Sequence, residues 1–191
     1  MKKITLLFSV AILATCSHAA SINWTVSGST TYVMKDYLGA TYTGSVYLIS
    51  AANLSTITYN ETSNPLTKDT FLNALTPLVL DDTESAQSDG KKPAVSQKDV
   101  TSSLMTAGTS FTFGLMIVSE DADGNGYFKY LTVNALPHAT GASADAQNEV
   151  KTPWNTLGGK TWTQGYTAVP EPSTAVLALA GLALLLKRRR A

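Results

Sequence analysis

The chain has 191 residues, room for one domain once its two unusual ends are set aside. Its formal net charge of zero averages unlike parts: Lys2, Lys3, Lys187, Arg188, Arg189 and Arg190 crowd the termini, while residues 20–168 hold eight lysines, no arginine and thirteen acidic residues, a net −5. That acidic, arginine-free composition argues against nucleic acid as a partner. The single cysteine, Cys16, lies in the amino-terminal apolar stretch, so the domain has no disulfide framework, thiolate metal site or cysteine nucleophile.

Met1-Lys2-Lys3 precedes an apolar run from Ile4 to Thr15, and Ser17-His18-Ala19 sets small residues at −3 and −1 of a cut after Ala19. A charged start, a short apolar stretch and a small-residue exit predict a secretory signal peptide over residues 1–19. Leu13-Ala14-Thr15-Cys16 also resembles a lipobox, although Thr15 fits poorly just before such a cut. The next region, 20–168, is predicted to be a β-rich extracellular domain.

Trp24-Thr25-Val26, Tyr32-Val33-Met34 and Ser45 to Ile49 read as strands from their β-branched and aromatic residues. Thr67 or Asp69 caps a short helix that carries Phe71, Leu72 and Leu75 on one face. The polar stretch from Asp81 to Lys98, with Gly90 and Pro93, reads as a long exposed loop. Ser96 to Asp99 opens a further helical turn through Met105.

Ser110 to Val118 and Tyr127 to Val133 are the clearest strand pair, with Phe111, Phe113, Leu115 and Ile117 two apart and Phe128, Tyr130 and Thr132 likewise. Between them, residues 121–126 favour φ > 0 and predict a hairpin turn. Gly141 to Val150 reads as a surface helix. Trp154 and Trp162 dock back on the domain around a turn at Gly158-Gly159. Short strands with frequent turns predict a mainly β fold, an antiparallel β-sandwich-like domain with one or two short helices and a C-terminal hydrophobic helix.

Val169-Pro170-Glu171-Pro172-Ser173 suits neither a strand nor a helix interior, because two prolines fix φ and remove two donors. Thr174 to Leu186 is uncharged and rich in Ala and Leu, and Lys187-Arg188-Arg189-Arg190 ends it. A helix over 174–186 spans only about 20 Å, short of the ~30 Å hydrocarbon layer. Snorkelling basic side chains and bilayer thinning close part of that gap. The basic end stays cytoplasmic by the positive-inside rule, with the domain across the inner membrane.

In Pro170, Glu171 and Pro172, then the apolar run, then the basic end, residues 169–191 resemble the PEP-CTERM sorting signal. That resemblance implies an exported protein of a Gram-negative-type envelope and an exosortase, a multi-spanning membrane protease, as partner. The enzyme would recognise Pro170, Glu171 and Pro172, remove the tail and pass the domain towards the surface or its extracellular polysaccharide. An ordinary permanent tail anchor is the competing reading.

In the domain, Asp121, Asp123 and Asn125 stand at positions 1, 3 and 5 of a calcium-loop pattern with Gly126 at position 6. Thr132 replaces the bidentate Glu expected at position 12, so a weak calcium site aided by Glu120 competes with a plain hairpin turn. His138 is the domain's one histidine, and no Gly-x-Ser-x-Gly elbow occurs. Asp81-Asp82 and Glu120-Asp121 are adjacent carboxylates on polar segments, where a solvated loop is expected. The chain therefore reads as a non-enzymatic envelope protein with a structural or interaction role. A carbohydrate- or calcium-binding surface module using Trp24, Trp154, Trp162 and tyrosines is the alternative, and a hydrolase is more distant.

Overall fold

The computed structural model describes residues 19–27, 31–91, 98–141 and 149–168. The export signal up to His18, most of the predicted helix at 141–150 and the tail with its apolar run at 174–186 lie outside the described residues. Among the described residues the fold is mainly β, with strands β1 (Ala20–Ser27), β2 (Ser45–Ser50), β3 (Val79–Ser85), β4 (Lys98–Ser102) and β5 (Phe111–Glu120). They are followed by β6 (Gly126–Ala135), β7 (His138–Ala139), β8 (Glu149–Pro153) and β9 (Thr163–Tyr166). Two short helices, α1 (Lys68–Leu75) and α2 (Trp154–Gly158), complete the elements used below.

The larger sheet runs β3-β2-β5-β6-β9 and is antiparallel throughout. In the smaller sheet β1 pairs with β4 on one side, and on the other with β7 at Ala20–Ser21 and then β8 from Asn23 to Ser27. The β1–β8 pair is parallel, a departure from the purely antiparallel expectation. Ile22, Trp24 and Val26 of β1 meet Val46, Leu48, Phe113, Leu115 and Ile117 of the larger sheet, so one core lies between the sheets.

A second core covers the opposite face of the larger sheet, where Ile49, Met116, Phe128 and Tyr166 pack with Phe71 and Leu75 of α1. Consequently Phe113 to Ile117 are all buried, as a strand covered on both faces requires. Phe113 and Leu115 turn to the first core, and Phe128 and Tyr130 to the second. The two similar patterns in sequence therefore serve opposite faces of one sheet, a consequence of the Val118↔Phe128 and Leu115↔Leu131 register.

Thr67 caps α1 through a reciprocal box, its side chain accepting from Thr70 N while Thr70 Oγ1 accepts from Thr67 N at 2.7 Å. Phe71 and Leu75, one helical turn apart, are buried, whereas Leu72 is 42% exposed and leaves the predicted face.

Three other expectations change. Tyr32 to Met34 form no strand; Met34 N donates to Gly90 O and Met34 O accepts from Tyr42 N, which ties two loops together. Asp81 to Ser85, read as loop, belong to edge strand β3 because they pair with β2, and Asp81 is buried where it accepts from Trp24 Nε1 instead of being solvated. Lys98 to Ser102, read as the start of a helical turn, pair with β1 and bury Val100. Polarity concealed both strands because their charges mark sheet edges, where acidic and basic side chains are compatible with pairing.

Candidate functional site

The β5–β6 hairpin closes through a five-residue turn, Asp121 to Asn125, in which Gly124 adopts φ 82°. Asp121 Oδ1 accepts from the backbone N–H groups of Asp123 and Asn125, both at 2.9 Å. Its Oδ2 accepts from Asn125 Nδ2 at 2.9 Å and from the Tyr127 hydroxyl at 3.3 Å. The Asn125 amide leads the effects that hold the Asp121 carboxyl below its ordinary value. Asn125 Oδ1 accepts from Ala168 N at 3.0 Å, so this one side chain joins the turn to the segment just after β9.

Beside the turn, Glu120 Oε1 receives Lys68 Nζ at 2.6 Å and the Tyr166 hydroxyl. Lys68 first, and Tyr166 second, lower the Glu120 pKa. Burial first, and the Glu120 carboxylate second, push the Tyr166 phenol up. The Tyr166 ring lies directly over Gly126, where a Cβ would come within 1.9 Å of ring carbon Cε1. Gly126 therefore makes room for a ring.

Asp121, Asp123 and Asn125 share one turn, in which the oxygens of Asp121 and Asn125 accept from protein donors. Among the described residues, no group of three or more His, Cys, Asp or Glu side chains is gathered as a metal site.

The aromatic residues divide sharply. Trp24 and Trp154 are fully buried and donate Nε1–H to Asp81 Oδ2 at 3.0 Å and Gly90 O at 2.9 Å. Trp162 is half-buried, with Lys129 Nζ 4.5 Å from its ring centre. Tyr37 rides on a tight turn held by Ala40 N donating to Asp36 Oδ1, and its ring stacks on Tyr127 at 3.6 Å and meets Trp162 edge-on at 6.2 Å. The Tyr37 side chain leads the effects that raise the Tyr127 phenol pKa.

His138 pairs with Ser21 across β7 and β1, and its Nε2 lies 3.8 Å from Asp99 Oδ1. This Ser/His/Asp proximity lacks nucleophile geometry: Ser21 is fully buried with Oγ 2.7 Å from Thr101 Oγ1, and His138 Nδ1 has no hydrogen-bond partner.

Sequence reasoning singled out Asp121 and Asn125 but missed Lys68, Tyr166, Tyr37 and Ala168, which gather on Glu120, Tyr127 and Asn125 around the turn. No local signal marks them, because the fold brings them to the hairpin from three separate segments: the Tyr37 turn, α1, and β9 with the residues just after it.

No curated protein and no solved structure matches the chain. Residues 168–191 match the family model for the PEP-CTERM protein-sorting motif. The match begins at Ala168, the residue whose amide is bound by Asn125. Such a motif implies recognition by an exosortase membrane protein and membrane-associated sorting towards the cell surface. Pro170, Glu171, Pro172 and the basic residues 187–190 lie within the matched segment but outside the described residues. Among the described residues no helix is long and apolar enough to cross a membrane. By its carboxy-terminal segment, this chain is a carrier of the PEP-CTERM protein-sorting motif.

Proposed function

We propose that residues 20–168 are the cargo of an export and sorting route, with a structural or interaction role in the cell envelope. Residues 1–19 act as the export signal. Pro170, Glu171 and Pro172 are the residues that an exosortase-like membrane protease reads, while Lys187, Arg188, Arg189 and Arg190 hold the tail's end on the cytoplasmic side. The observation that carries this reading is the motif match at 168–191, which begins two residues after the end of β9. Mass spectrometry of the surface-extracted protein tests it. The expected species starts at Ala20 and lacks the basic end; a surface species retaining Arg190 contradicts processing.

A second reading, contact with the extracellular polysaccharide, draws support from the Tyr37, Tyr127 and Trp162 rings, since Tyr37 is 39% exposed. A glycan array separates it from a purely structural role: binding that disappears in Tyr37→Ala supports sugar contact, and a folded protein that binds no glycan favours the structural role.

A further inference from the structure

The carboxy-terminal tail leaves the domain at a point that is held, and the holding group is the same Asp121–Asn125 turn that resembles a calcium loop. Two backbone amides are held there: Ala168 N donates to Asn125 Oδ1 of the turn at 3.0 Å, and Thr167 N donates to Leu66 O at 3.1 Å as part of its parallel bridge with Thr67. Asn125 is itself locked, because its Nδ2 and backbone N–H both donate to the Asp121 carboxylate.

Pro170 follows Ala168 by two residues, which span at most about 7 Å even when fully extended. No spacer therefore separates the body of the domain from the sorting motif. An enzyme that reads a peptide needs a length of backbone with free hydrogen-bonding groups. Immediately upstream of Pro170-Glu171-Pro172, the amides of Thr167 and Ala168 are already spent on the domain.

We infer that the Asp121–Asn125 turn is a clasp on the base of the sorting tail, with Asn125 as a positioning residue that restrains the tail's reading by its membrane protease. Processing then proceeds through the fraction of molecules in which the clasp is open. This inference rests on the sorting reading above. Loss of one such hydrogen bond raises the open fraction by about fivefold.

Asn125→Ala in the full-length protein tests this in two arms. Hydrogen exchange at the Ala168 amide should quicken by about fivefold, and pulse-chase in the native host should show tail removal faster by a similar factor. Ala168→Pro, which deletes the donor and leaves the turn intact, should accelerate removal in the same way. A flexible Gly-Ser segment of about six residues inserted after Ala168 supplies the control. With free backbone provided, parent and Asn125→Ala should be processed equally.

Unchanged exchange in Asn125→Ala overturns the clasp. Faster exchange with unchanged processing overturns the restraint. A rate difference that survives the inserted segment shows Asn125 acting through domain stability and also overturns it. A parent whose tail is never removed overturns the sorting reading together with the restraint, whereas the exchange arm judges the clasp by itself.

Discussion

Trp24 of β1 donates its indole N–H to Asp81 of β3 at 3.0 Å, with Trp24 fully buried and Asp81 8% exposed, so one hydrogen bond ties the smaller sheet to the edge of the larger. Asp81→Ala should leave that N–H buried without an acceptor, a loss of about 1–3 kcal/mol. Asp81→Asn retains an oxygen acceptor and should lose less. Urea denaturation of both variants, followed by tryptophan emission, measures the difference.

Gly126→Ala tests the approach of the Tyr166 ring. A methyl there would overlap three ring atoms at 1.9–2.4 Å, and the ring is wedged against Phe71 at 5.1 Å between centroids. The clash should destabilise the domain by about 1–3 kcal/mol. The double variant Gly126→Ala with Tyr166→Leu should recover part of that loss. Thermal melts of the single and double variants check it.

The Glu120 contacts predict an acid-sensitive contribution. Lys68 and then Tyr166 hold the folded-state pKa below its reference value of 4.5. A carboxylate depressed by folding contributes stability that is complete above the unfolded pKa and is lost as pH falls through the folded one. Glu120→Gln should therefore be less stable than the parent at pH 7, with the gap closing below about pH 4.5. Asp121 is shifted in the same direction, chiefly by Asn125, so a residual acid slope should persist in Glu120→Gln. Melting temperature against pH for the two proteins gives the comparison.

Lys129 is 4% exposed, with its ammonium donating to Gly158 O at 3.1 Å and lying against Trp162. Burial lowers its pKa. A base depressed by folding contributes stability that grows as pH rises from the folded value towards 10.5, because the unfolded chain holds the proton longer; the raised phenols work against it in the same range, so the comparison with a variant isolates it. Lys129→Met preserves the buried stem, should change stability at pH 7 by less than about 1.5 kcal/mol, and should abolish the alkaline gain. Denaturant titrations at pH 7 and pH 10 read both effects.

From sequence alone, the segments whose information is local were legible. The sorting tail is a linear address of prolines, an apolar run and basic residues, and it needs no fold to be recognised. The β5–β6 hairpin announced itself through alternating apolar residues around an Asp/Gly/Asn turn, and α1 through Thr67 ahead of Phe71 and Leu75. Tertiary structure decided whatever depends on a partner distant in the chain. Asp81 and Val100 lie on polar stretches that become strands only because β2 and β1 pair with them. Phe113 and Phe128 belong to opposite faces of one sheet through register, which composition does not encode. The Asp121–Asn125 turn read as a cation loop because its oxygen donors alternate in sequence. Only the fold brings Ala168 to Asn125 across 43 residues and turns one of those oxygens towards a backbone amide. The physical reason is common to all three: each outcome is set by a partner distant in the chain, an adjacent strand, a sheet face or a donor within about 3 Å, which only the folded chain supplies.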